Sequence, residues 1–161
     1  MPCRRLAYAK AVLVRGGYQT GVQYQKALVA IMADENSRAL WNPLDTTRFS
    51  PGATPYNSFG PGGSYHVWNY ARAVDGVEMT VATMQQLNMR PWSDRFHERG
   101  HSATDLCQAY AKVPWSSVGN MAPYQIVRSW RWNWIAWVRA RRAVVYGNGR
   151  YPYRPNGHPI G

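Results

Sequence analysis

Glu35 closes an apolar stretch that runs through Val22, Leu28, Ile31 and Met32, and the run Asn42-Pro43-Leu44-Asp45-Thr46-Thr47 follows shortly after it. A carboxyl group at the end of a buried helix, facing a cleft, is what general-acid chemistry requires. Burial against apolar side chains disfavours the carboxylate, and the negative end of the helix dipole works in the same direction, so the group keeps its proton. Cleavage of a glycosidic bond uses such an acid to protonate the leaving oxygen. Spacing alone leaves the choice open, because a Glu near a helix end is most often a solvated surface residue.

The elements that must hold these side chains follow from periodicity. Leu6, Ala9, Val12 and Leu13 predict a helix over 4–15 that ends at Gly16-Gly17. Val22, Leu28, Ile31 and Met32 predict a second, with Thr20 as N-cap, Ala27 and Ala30 small enough for close packing, and an end between Asp34 and Ser37. Residues 42–70 alternate prolines and glycines with Tyr56, Phe59, Tyr65, Trp68 and Tyr70, a loop or short hairpin whose aromatics need burial or a ligand. Val74, Val77, Val81 and Met84 predict a third helix over 74–88. Ser93 is a candidate cap for a short helix ending at Gly100. Ser102, with Asp105 three residues on, starts another that runs to about Lys112 and is stopped by Pro114. Ile126, Trp130, Trp134, Trp137 and Val138 predict one basic, Trp-rich helix within 121–146, and Pro152, Pro155 and Pro159 an extended tail over 147–161. The class expected is α+β, mostly α: a helical domain over 1–120 with a long loop or hairpin region, then the basic aromatic helix and the tail.

The chain has 161 residues, 45% of them hydrophobic, enough for one domain with a core that needs neither disulfide nor metal. Its formal net charge of +11 is unevenly placed. Residues 1–105 carry 11 basic and 8 acidic side chains, whereas 106–161 carry 8 basic and no acidic ones. Such a field favours polyanions: nucleic acid, anionic lipid, teichoic acid or acidic peptidoglycan. Cys3 and Cys107 fit no zinc spacing and no disulfide framework; two free thiols is the plainer reading, one bridge the other. His66, His97, His101 and His158 show no metal spacing and read as surface residues, so neither metal nor cofactor is expected. Met79, Met84 and Met89 read as core filler. No stretch approaches the roughly 18 apolar residues of a membrane span. The N-terminal apolar run is broken by Lys10 and Arg15, unlike a signal peptide. The expectation is a protein made in the cytoplasm without a signal peptide, then kept there, built into a particle or exported with help.

Three stretches carry a resemblance. Ala33-Asp34-Glu35-Asn36-Ser37, then Asn42 to Thr47, then Pro51-Gly52-Ala53-Thr54-Pro55-Tyr56-Asn57-Ser58-Phe59-Gly60 follow one another in the order seen in lysozyme-superfamily domains of actinobacteria and their phages. Asn69-Tyr70, Asp75-Gly76-Val77 through Thr83, and Val113-Pro114-Trp115-Ser116-Ser117 are similar to the family's later motifs, so the likeness spans roughly 6–118. It implies a lysozyme-like helical domain with a cleft for a glycan strand and Glu35 as general acid. Asn42, Thr46, Thr47, Asn57 and Tyr70 would shape the cleft or bind sugar, with Tyr56 and Trp68 as further candidates for its wall. Asn36 and Ser37 stand where the family often has two glycines, Asp45 where it has Asn, and an added segment covers Pro61 to Trp68. Asp45 is either a second catalytic carboxylate, nucleophile or base, or a turn-forming Asp. Asn42 to Thr47 can likewise be a turn stapled by its own side chains.

Two functions from different classes follow from the resemblance. One is a muramidase or lytic transglycosylase acting on bacterial peptidoglycan, used by a phage as an endolysin or as a virion-associated tail lysin. The other is a non-catalytic minor tail protein that keeps the fold to bind glycan. Trp130, Trp132, Trp134 and Trp137, set among Arg128, Arg131, Arg139, Arg141 and Arg142, leave their own alternatives open. They can bury a Trp face on the core, anchor another phage virion or tail protein, or lie in an anionic envelope. They can also hold nucleic acid, of which no specific binding is expected.

Overall fold

The computed structural model describes residues 3–116 and 119–146; the expected tail over 147–161 and the Cys3 thiol lie outside what is described. The helix α2 (Val22–Glu35) organises the molecule. Six consecutive residues, Ala27 to Met32, are buried, so the middle of this helix has no solvent face. A helix apolar all round can only be stable with neighbours on every side. Those neighbours are α1 (Arg5–Arg15), α5 (Ala103–Tyr110), α6 (Ala122–Trp130) and α7 (Trp134–Arg142). Each large aliphatic side chain buried in this way contributes about 1.5–3 kcal/mol. Cys107 is a free, buried thiol, and burial pushes it up to about 12.

Helix α2 begins after Gly21, which supplies no side-chain cap, so Thr20 is not the N-cap expected for it; the Thr20 carbonyl instead accepts a bond from Gln25. It ends at Asn36, whose φ of 45° is left-handed. Asn tolerates that conformation better than other non-glycine residues, which explains why it can stand in a glycine position. Helix α3 (Ala73–Met84) packs on α1, and its Gly76 lets the loop after α2 come close: a β-carbon there would lie 1.9 Å from the Trp41 carbonyl oxygen.

The proline-rich region 42–70 contains a hairpin, β2 (Thr54–Phe59) with β3 (Tyr65–Asn69), antiparallel, with Asn57 opposite Val67 and Phe59 opposite Tyr65. A register shift between Pro55 and Asn57 leaves Tyr56 in a bulge. The short strands β1 (Cys3–Arg4) and β4 (Val144–Val145) pair antiparallel and tie the two ends of the described chain together. The class is therefore α+β and mostly helical, with seven α-helices among the described residues.

Two expected elements differ. Ser93 precedes only a single 3-10 turn (Asp94–Phe96) and makes no side-chain cap bond: it is the last residue of α4 (Arg90–Ser93), which carries Pro91 in its first turn and, with the turn that follows, brings Trp92 and Phe96 into the core. The single basic helix expected within 121–146 is two. Asn133 restarts the helix by accepting the Ala136 amide on its side chain, and the break turns Trp134 outward while Trp130 and Trp137 meet in the core with ring centres 4.8 Å apart. Helices α6 and α7 pack on α2 and add Val127, Trp130 and Trp137 to the same core. The capping box at Ser102 is present in full.

Candidate active site

Glu35 is the last residue of the buried helix, so its carboxyl leaves the core where α2 stops. It emerges into an open cleft of about 510 Å³, lined on one side by the hairpin and on the other by Gln86, Met89, Pro114 and Trp115. Strand alternation sets the hairpin wall: Asn57 and Phe59 on β2 and their partners Val67 and Tyr65 on β3 share the face turned to the cleft. Phe59 and Tyr65 stack with centres 5.7 Å apart and are half exposed. Gly60 permits this: its φ is 77°, and a β-carbon there would lie 2.5 Å from the Tyr65 ring.

The floor is the loop 42–48, held by its carbonyls. Trp115 Nε1 donates to Leu44 O at 3.0 Å, Asn42 Nδ2 to Thr46 O at 2.8 Å, Trp68 Nε1 to Thr47 O at 3.0 Å, and Tyr70 Oη to Arg48 O at 2.6 Å. Asn42 also donates to Trp68 O at 3.0 Å and accepts the Thr46 amide at 2.8 Å, while the Thr46 hydroxyl lies 2.7 Å from that of Thr83. Asn42, Thr46 and Tyr70 are thus buried struts rather than sugar ligands, because their polar atoms are already used inside the fold. Trp68 holds the loop from the far face of the hairpin, and Tyr56 is exposed in its bulge, outside the cleft lining. Of the residues expected to bind substrate, Thr47 and Asn57 line the cleft. Phe59, Tyr65, Arg48, Gln86 and Trp115 line it without having been singled out as ligands; the alternation of Asn57 with Phe59 and of Tyr65 with Val67 was the available signal for the hairpin members.

The struts place Asp45 in the same cleft as Glu35. Asp45 has a left-handed φ of 50°, so it is a turn-forming residue and a cleft carboxylate at once. Its Oδ1 is buried with no hydrogen-bond partner among the described residues. Burial raises the Asp45 pKa, and the nearby Ser37 hydroxyl opposes the rise. Glu35 is pushed from 4.5 to about 7, by burial first, then by the negative charges of Asp45 and Asp34, against the Tyr110 hydroxyl, which donates to Oε1 at 3.3 Å. Tyr110 keeps its proton, since burial and the neighbouring Glu35 charge hold its pKa well above the usual phenol range. Its ring is fixed by Trp92 at 5.0 Å, which in turn meets Trp115 at 5.9 Å. Nothing in the local sequence points to Tyr110, which comes from 75 positions away.

The two carboxyls therefore sit in different environments within one cleft, with Glu35 the later to ionise, the condition for dividing acid and base roles between them. Among the described residues no group of three His, Cys, Asp or Glu side chains can hold a metal ion, and no helix is long and apolar enough to cross a membrane. No family model, no curated protein and no solved structure matches the chain.

Proposed function

We propose that this chain cleaves the glycan strand of bacterial peptidoglycan as a muramidase, with Glu35 as general acid and Asp45 as second carboxylate. The observation that carries the reading is a Glu held at a pKa of about 7 with a second carboxyl group along the same open cleft. The Glu35 proton passes to the glycosidic oxygen as its bond to the anomeric carbon breaks. Asp45 either attacks that carbon or takes a proton from the water that does; by both routes one water is added across the bond and Glu35 regains a proton. Phe59 and Tyr65 offer ring faces to a pyranose, and Thr47, Asn57 and Gln86 offer groups that hydrogen-bond hydroxyls and acetamides.

The choice of polymer rests on the resemblance of 33–60 and 113–117 to lysozyme-superfamily domains. In that setting the chain serves a phage as an endolysin or a virion-borne tail lysin. The second carboxylate favours hydrolysis over transglycosylation, which needs only the acid.

The test is to digest purified peptidoglycan with the purified chain and to resolve the released muropeptides by mass spectrometry. Products with free reducing ends, absent with Glu35→Gln, are expected. Anhydro-muropeptides would instead assign a lytic transglycosylase. A wild-type chain that pulls down peptidoglycan yet releases nothing at acidic or neutral pH would replace the enzyme with a glycan-binding virion component.

A further inference from the structure

Trp132, Trp134 and Ile135 stand 90%, 64% and 64% exposed in the corner where α6 gives way to α7. Their neighbours Trp130 and Trp137 are buried, so both helices are already docked and the corner side chains are surplus to the core. Arg128 and Arg131 before the corner and Arg139 and Arg142 along α7 after it are exposed, and the Arg141 guanidinium lies 5.7 Å from the Trp134 ring centre. No Asp or Glu follows Asp105. Asn133 Oδ1 already accepts the Ala136 amide at 3.0 Å, and the Ser129 hydroxyl proton is held by Ile126 O at 2.7 Å. The two helices thus offer an apolar tip between cationic donors.

We propose that this corner docks on the interface of an anionic phospholipid bilayer, with Trp132, Trp134 and Ile135 entering the boundary between headgroups and acyl chains and the arginines pairing with lipid phosphates. Charge chooses the sign of the partner: every ionised side chain that α6, α7 and the turn between them carry is positive, so the favoured opposing surface is anionic throughout, as a headgroup layer is and the surface of a folded protein rarely is. The apolar tip chooses among anionic partners. Ile135 neither stacks on a base nor binds a phosphate, and gains only by leaving water for hydrocarbon. Indole rings with one polar edge suit the same boundary. This inference does not depend on glycan cleavage.

The test sediments the full chain with vesicles of phosphatidylcholine alone and with vesicles that also carry phosphatidylglycerol. Binding is expected to the second only, to weaken as salt rises, and to fall at least about tenfold in Trp132→Ala/Trp134→Ala. Both side chains are exposed, so circular dichroism should match wild type. Arg139→Gln/Arg142→Gln should reduce the preference for phosphatidylglycerol. No binding at low salt, or binding that the Trp variant leaves intact, would overturn the proposal. So would duplex DNA that binds as tightly as the vesicles and is indifferent to the Trp substitutions, since the corner would then be a general polyanion site.

Discussion

At the scale of single residues, the cleft depends on how Glu35 holds its proton. A general acid must be protonated, so turnover should fall as pH rises through about 7. The same shift acts on stability, with a definite sign. Folded Glu35 binds its proton more tightly than the unfolded chain does, so its cost to stability is absent below about 4.5, grows as pH rises and is complete above about 7. At about 1.4 kcal/mol per pKa unit, and allowing for the part of the side chain that still reaches solvent, the cost is on the order of 2–3 kcal/mol. Glu35→Gln cannot ionise and still accepts from Tyr110. It should therefore melt higher than wild type at about pH 8 and close to it at about pH 4, while turnover drops by about 10²–10⁴. Calorimetry at both pH values, beside muropeptide release, checks this; equal stabilisation at both would mean that Glu35 is not the buried acid. Asp45→Asn isolates the charge of the second carboxyl. Asn accepts the left-handed φ of 50°, so stability should change by no more than about 1 kcal/mol. With that negative charge gone the Glu35 pKa should fall, a shift that an NMR titration of the Glu35 carboxyl carbon reads directly.

At the scale of elements, the carbonyls of the loop 42–48 are held by side-chain donors from Trp68, Tyr70 and Trp115 and, from within the loop, by Asn42. Asn42→Ala removes three hydrogen bonds, two of them buried, and deprives Thr46 and Trp68 backbone groups of these partners. We expect a loss on the order of 3 kcal/mol in urea unfolding and a larger proportional loss of activity, since Asp45 rides on the same loop. Unchanged stability would mean that the loop is held by its ring donors alone. The motif was readable because short polar side chains around a Pro favour turns, and the end of α2 at Glu35 was readable because apolar periodicity stops there. That Asn42 staples its own turn was one of the readings open in the sequence, and two of its three bonds do go to Thr46, four residues on. The remaining struts were not readable, because the third partner of Asn42 and the partners of Thr46 and Tyr70 are Trp68, Thr83 and Arg48, 22 to 37 positions away. The hairpin wall was hidden for a related reason: the bulge at Tyr56 resets the alternation of β2, so Tyr56 and Phe59 exchange the roles that a regular count gives them. The break at Asn133 went unseen because Asn sits within an otherwise sustained helical pattern and only its cap geometry shows that a new helix starts.

At the scale of the whole molecule, the C-terminal helices have two faces with separate work. The outer one carries Trp132, Trp134 and the arginines. The inner one completes the shell around α2 with Val127, Trp130 and Trp137. Strand β4 pairs with β1, Arg5 N donates to Ala143 O at 3.0 Å, and Trp41 N donates to Tyr146 O at 2.7 Å, so residues 143–146 also brace the segment that leads into the cleft loop. A chain cut after Asn120 would lose these bonds and strip one side of a helix whose middle has no solvent face of its own. Replacing a single core Trp by Ala costs about 3–5 kcal/mol. Losing two, with Val127 and the strand pairing, consumes most of the 5–15 kcal/mol that keeps a domain of this size folded. The fragment 1–120 is therefore expected to lack a cooperative melting transition and to release no muropeptides, whereas the full chain carrying Trp132→Ala/Trp134→Ala should melt as wild type does and retain its turnover on soluble glycan. A fragment that melts cooperatively and cleaves would make α6 and α7 an appendage, and the shared core around α2 would then contribute nothing essential to the position of Glu35.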